Sequence, residues 1–237
     1  MPDGSPHPRP DTAEFDRYAD AYHVQHAASI RASGEDPAHF ARYKAQDAKR
    51  WCARDGLAPA RILDFGTGIG NALPHLAEAF PEAALTGLDP SEASLAIART
   101  QHAGLASLVP YDGETIPFAP DSFDLVFTAC VFHHVPEGQH AHLLSEVRRV
   151  LRPGGAFFLF EHNPLNPLTR RAVRLCPFDA DAILISANEM ARRMRAAGFE
   201  ARTRYRVFVP GPLRALRGAE ALLTWCPIGA QYHVHAH

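Results

Sequence analysis

The 237-residue sequence has no paired cysteines, no long apolar run and no large excess of either charge. Cys52, Cys130, Cys176 and Cys226 stand far apart with no C-x-x-C pair. That spacing excludes a zinc knuckle or a dithiol redox motif and predicts buried, reduced thiols. Fourteen histidines are present without an H-E-x-x-H pattern, so a zinc-protease helix is excluded. The terminal "HVHAH" puts His233, His235 and His237 on one face of a strand. Such a face binds metals incidentally, but a functional site needs an ordered second shell, and no metal site is expected. No apolar run approaches the roughly 20 residues of a membrane helix. "MPDGSPHPRPDTAEF" lacks the apolar centre of a secretory signal. The expectation is a soluble, cytoplasmic protein with no membrane partner.

A net charge of −2 argues against a basic nucleic-acid surface, and no nucleic-acid partner is expected. The total hides an asymmetry. Residues 1–140 carry 10 basic and 19 acidic side chains, whereas residues 141–237 carry 14 basic and 7 acidic. Such a dipole can draw an anionic substrate towards the second half. Solvated faces are the preferred reading, as in "RTRYRVFV", where Arg202, Arg204 and Arg206 alternate with less polar residues.

With 46% hydrophobic residues, the chain has enough apolar material for one compact domain or a domain with an appendage. Residues 1–12 are polar and proline-rich and are expected to be disordered. Residues 13–58 read as an N-terminal helical cap. In "FDRYADAYHVQH", Phe15, Tyr18, Ala19 and Tyr22 share one helical face, and "PAHFARYKAQDAKRWCARD" supplies a second helix. From residue 59 to 237, short apolar runs alternate with amphipathic stretches, the pattern of strands joined by crossover helices. The strand candidates are "RILDFG", "ALTGLD", "SLVPYD", "FDLVFTACV", "AFFLFEH", "TRYRVFV" and "QYHVHA", with helices near 71–80, 91–102, 138–151 and 186–197. The predicted fold is α/β: a doubly wound, mostly parallel, seven-stranded Rossmann-like sheet with helices on both faces. Its ligand belongs at the carboxyl ends of the strands. Residues 162–185 form one long connection with three prolines, a substrate wall or a structural insertion.

The densest motif is "ILDFGTGIGN", with Gly66, Gly68 and Gly70 crowding the end of an apolar run and Asp64 just before them. A dinucleotide loop wants G-x-G-x-x-G, but Asn71 stands at its third glycine. A phosphate loop is excluded because no Gly-Lys-Ser/Thr follows. A plain tight turn does not require three glycines in five residues, given their entropic cost. Asp89 ends the next strand about 20 residues on, where an acid can accept hydrogen bonds from ribose hydroxyls. In "DPSE", Asp89 or Ser91 also suits a helix cap, as a cap also offers an alternative role for Asp112.

The segment D-F-G-T-G-I-G resembles the first motif of the class I S-adenosylmethionine-dependent methyltransferases, of the type 11/12-like group. "YDGETIPFAPDSFDLVFTACVFHHV" and "VRRVLRPGGAFFLFE" resemble the family's later motifs, so the similarity covers roughly residues 60–162 in order. The resemblance implies S-adenosyl-L-methionine as cofactor, contacted by Asp64, Gly66, Thr67, Gly68, Gly70, Asp89, Pro90, Asp112, Gly113 and Cys130. Tyr18 and Tyr22 are candidates to close over the sulfonium through their aromatic faces, with Tyr43 and Lys44 as further candidates. It also implies a methyl acceptor, and the absence of an Asn/Asp-Pro-Pro-Tyr/Phe motif disfavours a DNA adenine, leaving a small molecule. Arg170, Arg171 and Arg174 suit an anionic acceptor or plain solvation. His133 and His134 are the catalytic candidates, as a general base if the acceptor is protonated, with Glu161 and His162 behind them. A nucleotide-dependent oxidoreductase and a non-catalytic binding relative are the competing readings.

Overall fold

The computed structural model describes residues 37–179, 181–209, 218 and 220–237. The expected tail, the first cap helix, Tyr18 and Tyr22 lie outside the described residues. Among the described residues the strands are β1 (Arg61–Phe65), β2 (Ala84–Asp89), β3 (Ser107–Pro110), β4 (Phe123–Ala129), β5 (Leu151–His162), β6 (Ala201–Arg206) and β7 (Gln231–Ala236). The helices of the described residues are α1 (Pro37–Arg54), α2 (Leu73–Ala79), α3 (Glu92–Gln101), α4 (His140–Val150), α5 (Pro167–Arg174) and α6 (Ala187–Ala196).

The strands form one sheet in the order β3-β2-β1-β4-β5-β7-β6. All neighbouring pairs from β3 to β5 are parallel, and β7 runs antiparallel to both β5 and β6. The order reverses between β1 and β4, where connections depart to opposite sides and open a crevice at the strand ends.

Alternation along the central strands builds two apolar layers. Leu63, Val126, Phe157 and Leu159 enter a core with Leu144, Val147, Met190 and Met194 of α4 and α6. Their neighbours Ile62, Leu125, Phe127, Phe158 and Phe160 enter the opposite core with Ala45, Ala48 and Trp51 of α1 and Leu76 of α2. Helix α1 is therefore a packed layer of the sheet. Its Asp47 pairs with Arg206, and the Tyr43 hydroxyl donates to Gln231 Oε1.

Four expectations are corrected. The fifth strand begins at Leu151, before the Pro153-Gly154-Gly155 turn, because the chain pairs with Phe123, shifts register and resumes pairing at Ala156. The sixth stops at Arg206, since Val207 takes φ 60 and turns the chain out of the sheet. The connection after β5 is structured: Asn166 caps α5 by accepting from the N–H groups of Leu168 and Thr169, and a 3-10 turn follows at Pro177–Asp179. The thiols also divide, with Cys52 and Cys176 buried and Cys130 and Cys226 only partly so.

His233 and His235 do share a face, but that face is covered by α1. Trp51 stacks on His235 with centroids 4.1 Å apart. Burial, followed by neighbouring positive charge, depresses both imidazoles, His235 to about 4, so they pack as neutral rings. Among the described residues, no helix is long and apolar enough to cross a membrane.

Candidate active site

The glycine loop leaves β1 at the topological reversal. Gly66, Gly68 and Gly70 have φ of 75°, 54° and 85°. At Gly66 and Gly68 the reasons differ. A Cβ on Gly66 would lie 2.4 Å from Val131 Cγ2, so glycine there lets the loop meet the turn after β4. A Cβ on Gly68 would meet nothing within 4 Å, so that glycine answers to its left-handed backbone and leaves an open approach. The N–H groups of Gly66 and Thr67 donate to Leu88 O at 2.8 and 3.0 Å, tying the loop to the end of β2.

Two carboxylates bracket this loop. Asp64, 3% exposed, accepts from the Thr67 hydroxyl at 2.6 Å. Burial raises its carboxyl to about 7, against the smaller opposing effect of that hydrogen bond. Asp89 Oδ2 accepts from the Gly68 N–H at 2.7 Å, and Oδ1 from the Ser91 N–H at 2.9 Å. Ser91, not Asp89, caps α3. Pro90 lies half-buried between them.

Asp112 Oδ1 accepts from the N–H groups of Glu114 and Thr115, and those bonds hold its carboxyl below the usual range. It caps no helix: it closes a turn in which Gly113 is buried at φ 83°.

The side of the crevice after β4 is made of side chains drawn from distant elements. Cys130 is partly buried at φ 61°, a strained conformation for a non-glycine residue. Lys44 Nζ of α1 donates to its sulfur at 3.3 Å. Burial would raise this thiol, but Lys44 and His162 outweigh burial and bring it to about 7. Next comes the 3-10 turn Phe132–His134. Glu161 Oε1 of β5 accepts from the N–H groups of Val131 and Phe132, and Glu161 Oε2 takes His133 Nδ1 at 2.5 Å. Asp179 Oδ1 stands 3.6 Å from His133 Nε2 and 3.4 Å from His134 Nε2.

The electrostatics separate the two histidines. For His133, burial opposes protonation, but Glu161 and Asp179 prevail and hold it well above the ordinary imidazole range. Glu161 is held near 2 despite burial, chiefly by the charge of His133. His134 is lowered, first by burial and then by its charged neighbour. A buried imidazolium between two carboxylates is poorly suited to act as a base, whereas a neutral His134 retains a lone pair.

Sequence reasoning brought together the glycine loop, Asp89 and the histidine pair, and it kept Glu161 as a candidate. It missed Asp179 altogether, because an aspartate within a long connection carries no local signal. It also missed the contact of Lys44 with Cys130.

A glycine loop and strand-end acid at the reversal of a doubly wound sheet define a binding domain for a nucleoside-containing cofactor. Residues 62–155 match the methyltransferase-domain family. The chain is 33% identical to a malonyl-[acyl-carrier protein] O-methyltransferase of Methylococcus capsulatus, over 70% of this chain and 63% of that one. It is 31% identical to an uncharacterized methyltransferase of Mycobacterium marinum, over 87% and 81% of the two chains. In fold it is similar to a S-adenosylmethionine-dependent methyltransferase of Thermotoga maritima, with a TM-score of 0.67, 20% identity and coverage of 94% and 97%. The chain belongs to the class I S-adenosylmethionine-dependent methyltransferase family. It spans between 41% and 63% of the length of the first five curated relatives it matches.

The crevice residues fit that family's cofactor. The Asp89 carboxylate, accepting from the Gly68 and Ser91 N–H groups, stands at the end of β2, where an acid can meet ribose hydroxyls. The buried Asp64 is where a nearby cation would be compensated, and the open side of Gly68 admits a ligand against the backbone.

Proposed function

We propose that the protein transfers a methyl group from S-adenosylmethionine to an oxygen of a small, anionic acceptor, releasing S-adenosylhomocysteine. The observation that carries this reading is the pairing of Asp89 with the Gly68 N–H at the reversal between β1 and β4. When bound, the cofactor supplies an electrophilic methyl on a sulfonium. Asp89 holds the loop and offers its carboxylate to ribose, while the carboxylate form of Asp64 favours the cationic end. Thr67, Gly66, Gly70 and Pro90 shape the loop, and Asp112 and Gly113 shape the turn beyond β3 on the adenine side.

Catalysis then rests on placing the acceptor in line with the methyl group. An ionised carboxylate acceptor needs no base. For a hydroxyl acceptor, His134 is the base, and His133 positions it through Asp179. The oxygen preference is supported by the O-methyltransferase among the relatives, and the anionic preference by the +7 balance of residues 141–237.

The test is S-adenosylhomocysteine release from the purified chain across panels of carboxylate, hydroxyl and amine acceptors. Turnover confined to carboxylates or hydroxyls is expected. Turnover only with amines would overturn the acceptor assignment, and no turnover with any class would favour a binding protein.

A further inference from the structure

The geometry after β4 points to a binding site for one divalent transition-metal ion of the zinc type, with His133, His134 and Asp179 as its three protein ligands. This revises the expectation that the chain has no metal site; it does not depend on the identity of the methyl acceptor, and with the ion bound His134 is a ligand and no longer the base.

His133 Nδ1 is engaged by Glu161 Oε2, which in the neutral ring fixes the proton on Nδ1 and turns the Nε2 lone pair away from Glu161. That Nε2 has no hydrogen-bond partner, and the residue is 2% exposed. It is directed at Asp179 Oδ1, 3.6 Å away, and His134 Nε2 approaches the same oxygen at 3.4 Å. The three ligand atoms lie within 4.8 Å of one another. Two imidazole nitrogens and a carboxylate oxygen converging on one point call for a cation among them: the proton that His133 holds in the metal-free site, or a metal ion that displaces it.

The spacing selects the kind of cation. Tetrahedral bonds of 2.0–2.2 Å put neighbouring ligands about 3.3–3.6 Å apart. An octahedral ion with bonds near 2.1 Å would bring them to about 3.0 Å. The two separations from Asp179 Oδ1, 3.6 and 3.4 Å, fall at the tetrahedral value. The donor set, two imidazoles and one carboxylate, suits zinc or cobalt better than magnesium or calcium. Glu161 supplies the carboxylate behind a ligating histidine that such sites commonly use to fix its tautomer. Charge also balances: a divalent ion with two neutral imidazoles offsets Glu161 and Asp179.

Glu161 is in turn held by two backbone N–H groups, so the ligand shell is anchored to β5. The His134 side chain, 18% exposed, is the opening through which the ion and a fourth ligand reach the cluster. A fourth position taken by water or a small oxygen anion leaves the site open rather than closed. The ion would also fasten the connection after β5 to the end of β4, where the Ile183 N–H already donates to His133 O at 2.9 Å.

The test is titration of the full chain, first stripped by a chelator, with Co2+ followed by its visible d–d absorption and with Zn2+ followed by calorimetry. One equivalent producing a tetrahedral-type band is expected. His134→Ala should abolish the band, and Glu161→Gln should weaken binding about 10- to 100-fold while circular dichroism stays native. His237→Ala, which dismantles the competing group Asp55, His235 and His237, should change neither. Loss of binding in His237→Ala with retention in His134→Ala would overturn the assignment. So would failure of the stripped wild type to bind, which would mean that the cluster is satisfied by a proton on His133.

Discussion

The loop after β1 and the turn after β4 flank one switch point and are built by different means. The first is backbone: three left-handed glycines, two N–H groups tied to Leu88, and a third tied to Asp89, all within a few residues or one strand. The second is side chains: His133 and His134 from one turn, Glu161 from β5, Asp179 from a connection beyond it and Lys44 from α1. A cofactor common to a family is met by backbone geometry that a short motif can specify. An acceptor, which differs among relatives, is met by groups that only the tertiary fold assembles.

The comparison breaks first at Glu161. Glu161→Ala leaves His133 buried beside a single carboxylate and strips Val131 and Phe132 of their acceptor, so stability should fall by about 3–5 kcal/mol. For a domain of this size, the melting temperature should drop by about 10 °C. A loss no larger than that of an exposed control such as Glu92→Ala would contradict the claim that this half is held by a charged network.

On the backbone half, Gly66→Ala and Gly68→Ala separate two reasons for glycine. Both impose about 1–2 kcal/mol of left-handed strain. Only the Gly66 change drives a Cβ against Val131, so it should destabilise by about 3 kcal/mol in all. Gly68→Ala should keep most stability and lose cofactor affinity instead. Equal melting temperatures for the two variants would mean that the loop relaxes away from the β4 turn.

Asp64 gives a prediction in pH. Its folded carboxyl, raised to about 7 by burial, lies above its unfolded value, so the folded state holds the extra proton between about 4 and 7. Its contribution to stability is fully present below the unfolded value and is lost as pH rises through about 7. A bound cation reverses that loss, so the thermal shift produced by S-adenosylmethionine should be larger at pH 8 than at pH 6. Asp64→Asn should flatten this dependence; an unchanged slope in that variant would assign it elsewhere.

The smallest effect belongs to the connection after β5. Asn166→Ala removes the cap of α5 and should cost about 1 kcal/mol by denaturant unfolding, with cofactor affinity unchanged. A comparable loss of affinity would mean that α5 belongs to the cofactor half.

The same division explains what could be read from the chain. Strands β1, β2 and β4 were legible because consecutive apolar residues such as Ile62 and Leu63 serve opposite cores, giving short unbroken runs. The glycine loop was legible because its residues are neighbours. The capping serine of α3 was recognisable beside Asp89, although which of the two capped was not. Helix α5 was hidden by Pro164 and Pro167, which read as loop punctuation although Pro167 in fact opens the helix after the Asn166 cap. The charge state of His133 was illegible because both carboxylates that set it come from elsewhere. The lowered thiol of Cys130 was illegible for the same reason, since its cationic neighbours, Lys44 and His162, lie on α1 and β5.

The most direct test of the central claim is calorimetric titration of the wild type and Asp89→Ala with S-adenosylmethionine, S-adenosylhomocysteine and NAD. The account predicts micromolar binding of both sulfur ligands, no binding of NAD, and a weakening of about 10- to 100-fold in the variant, the value of hydrogen bonds to a charged group. Binding of NAD alone, or sulfur-ligand affinity indifferent to Asp89, would contradict it.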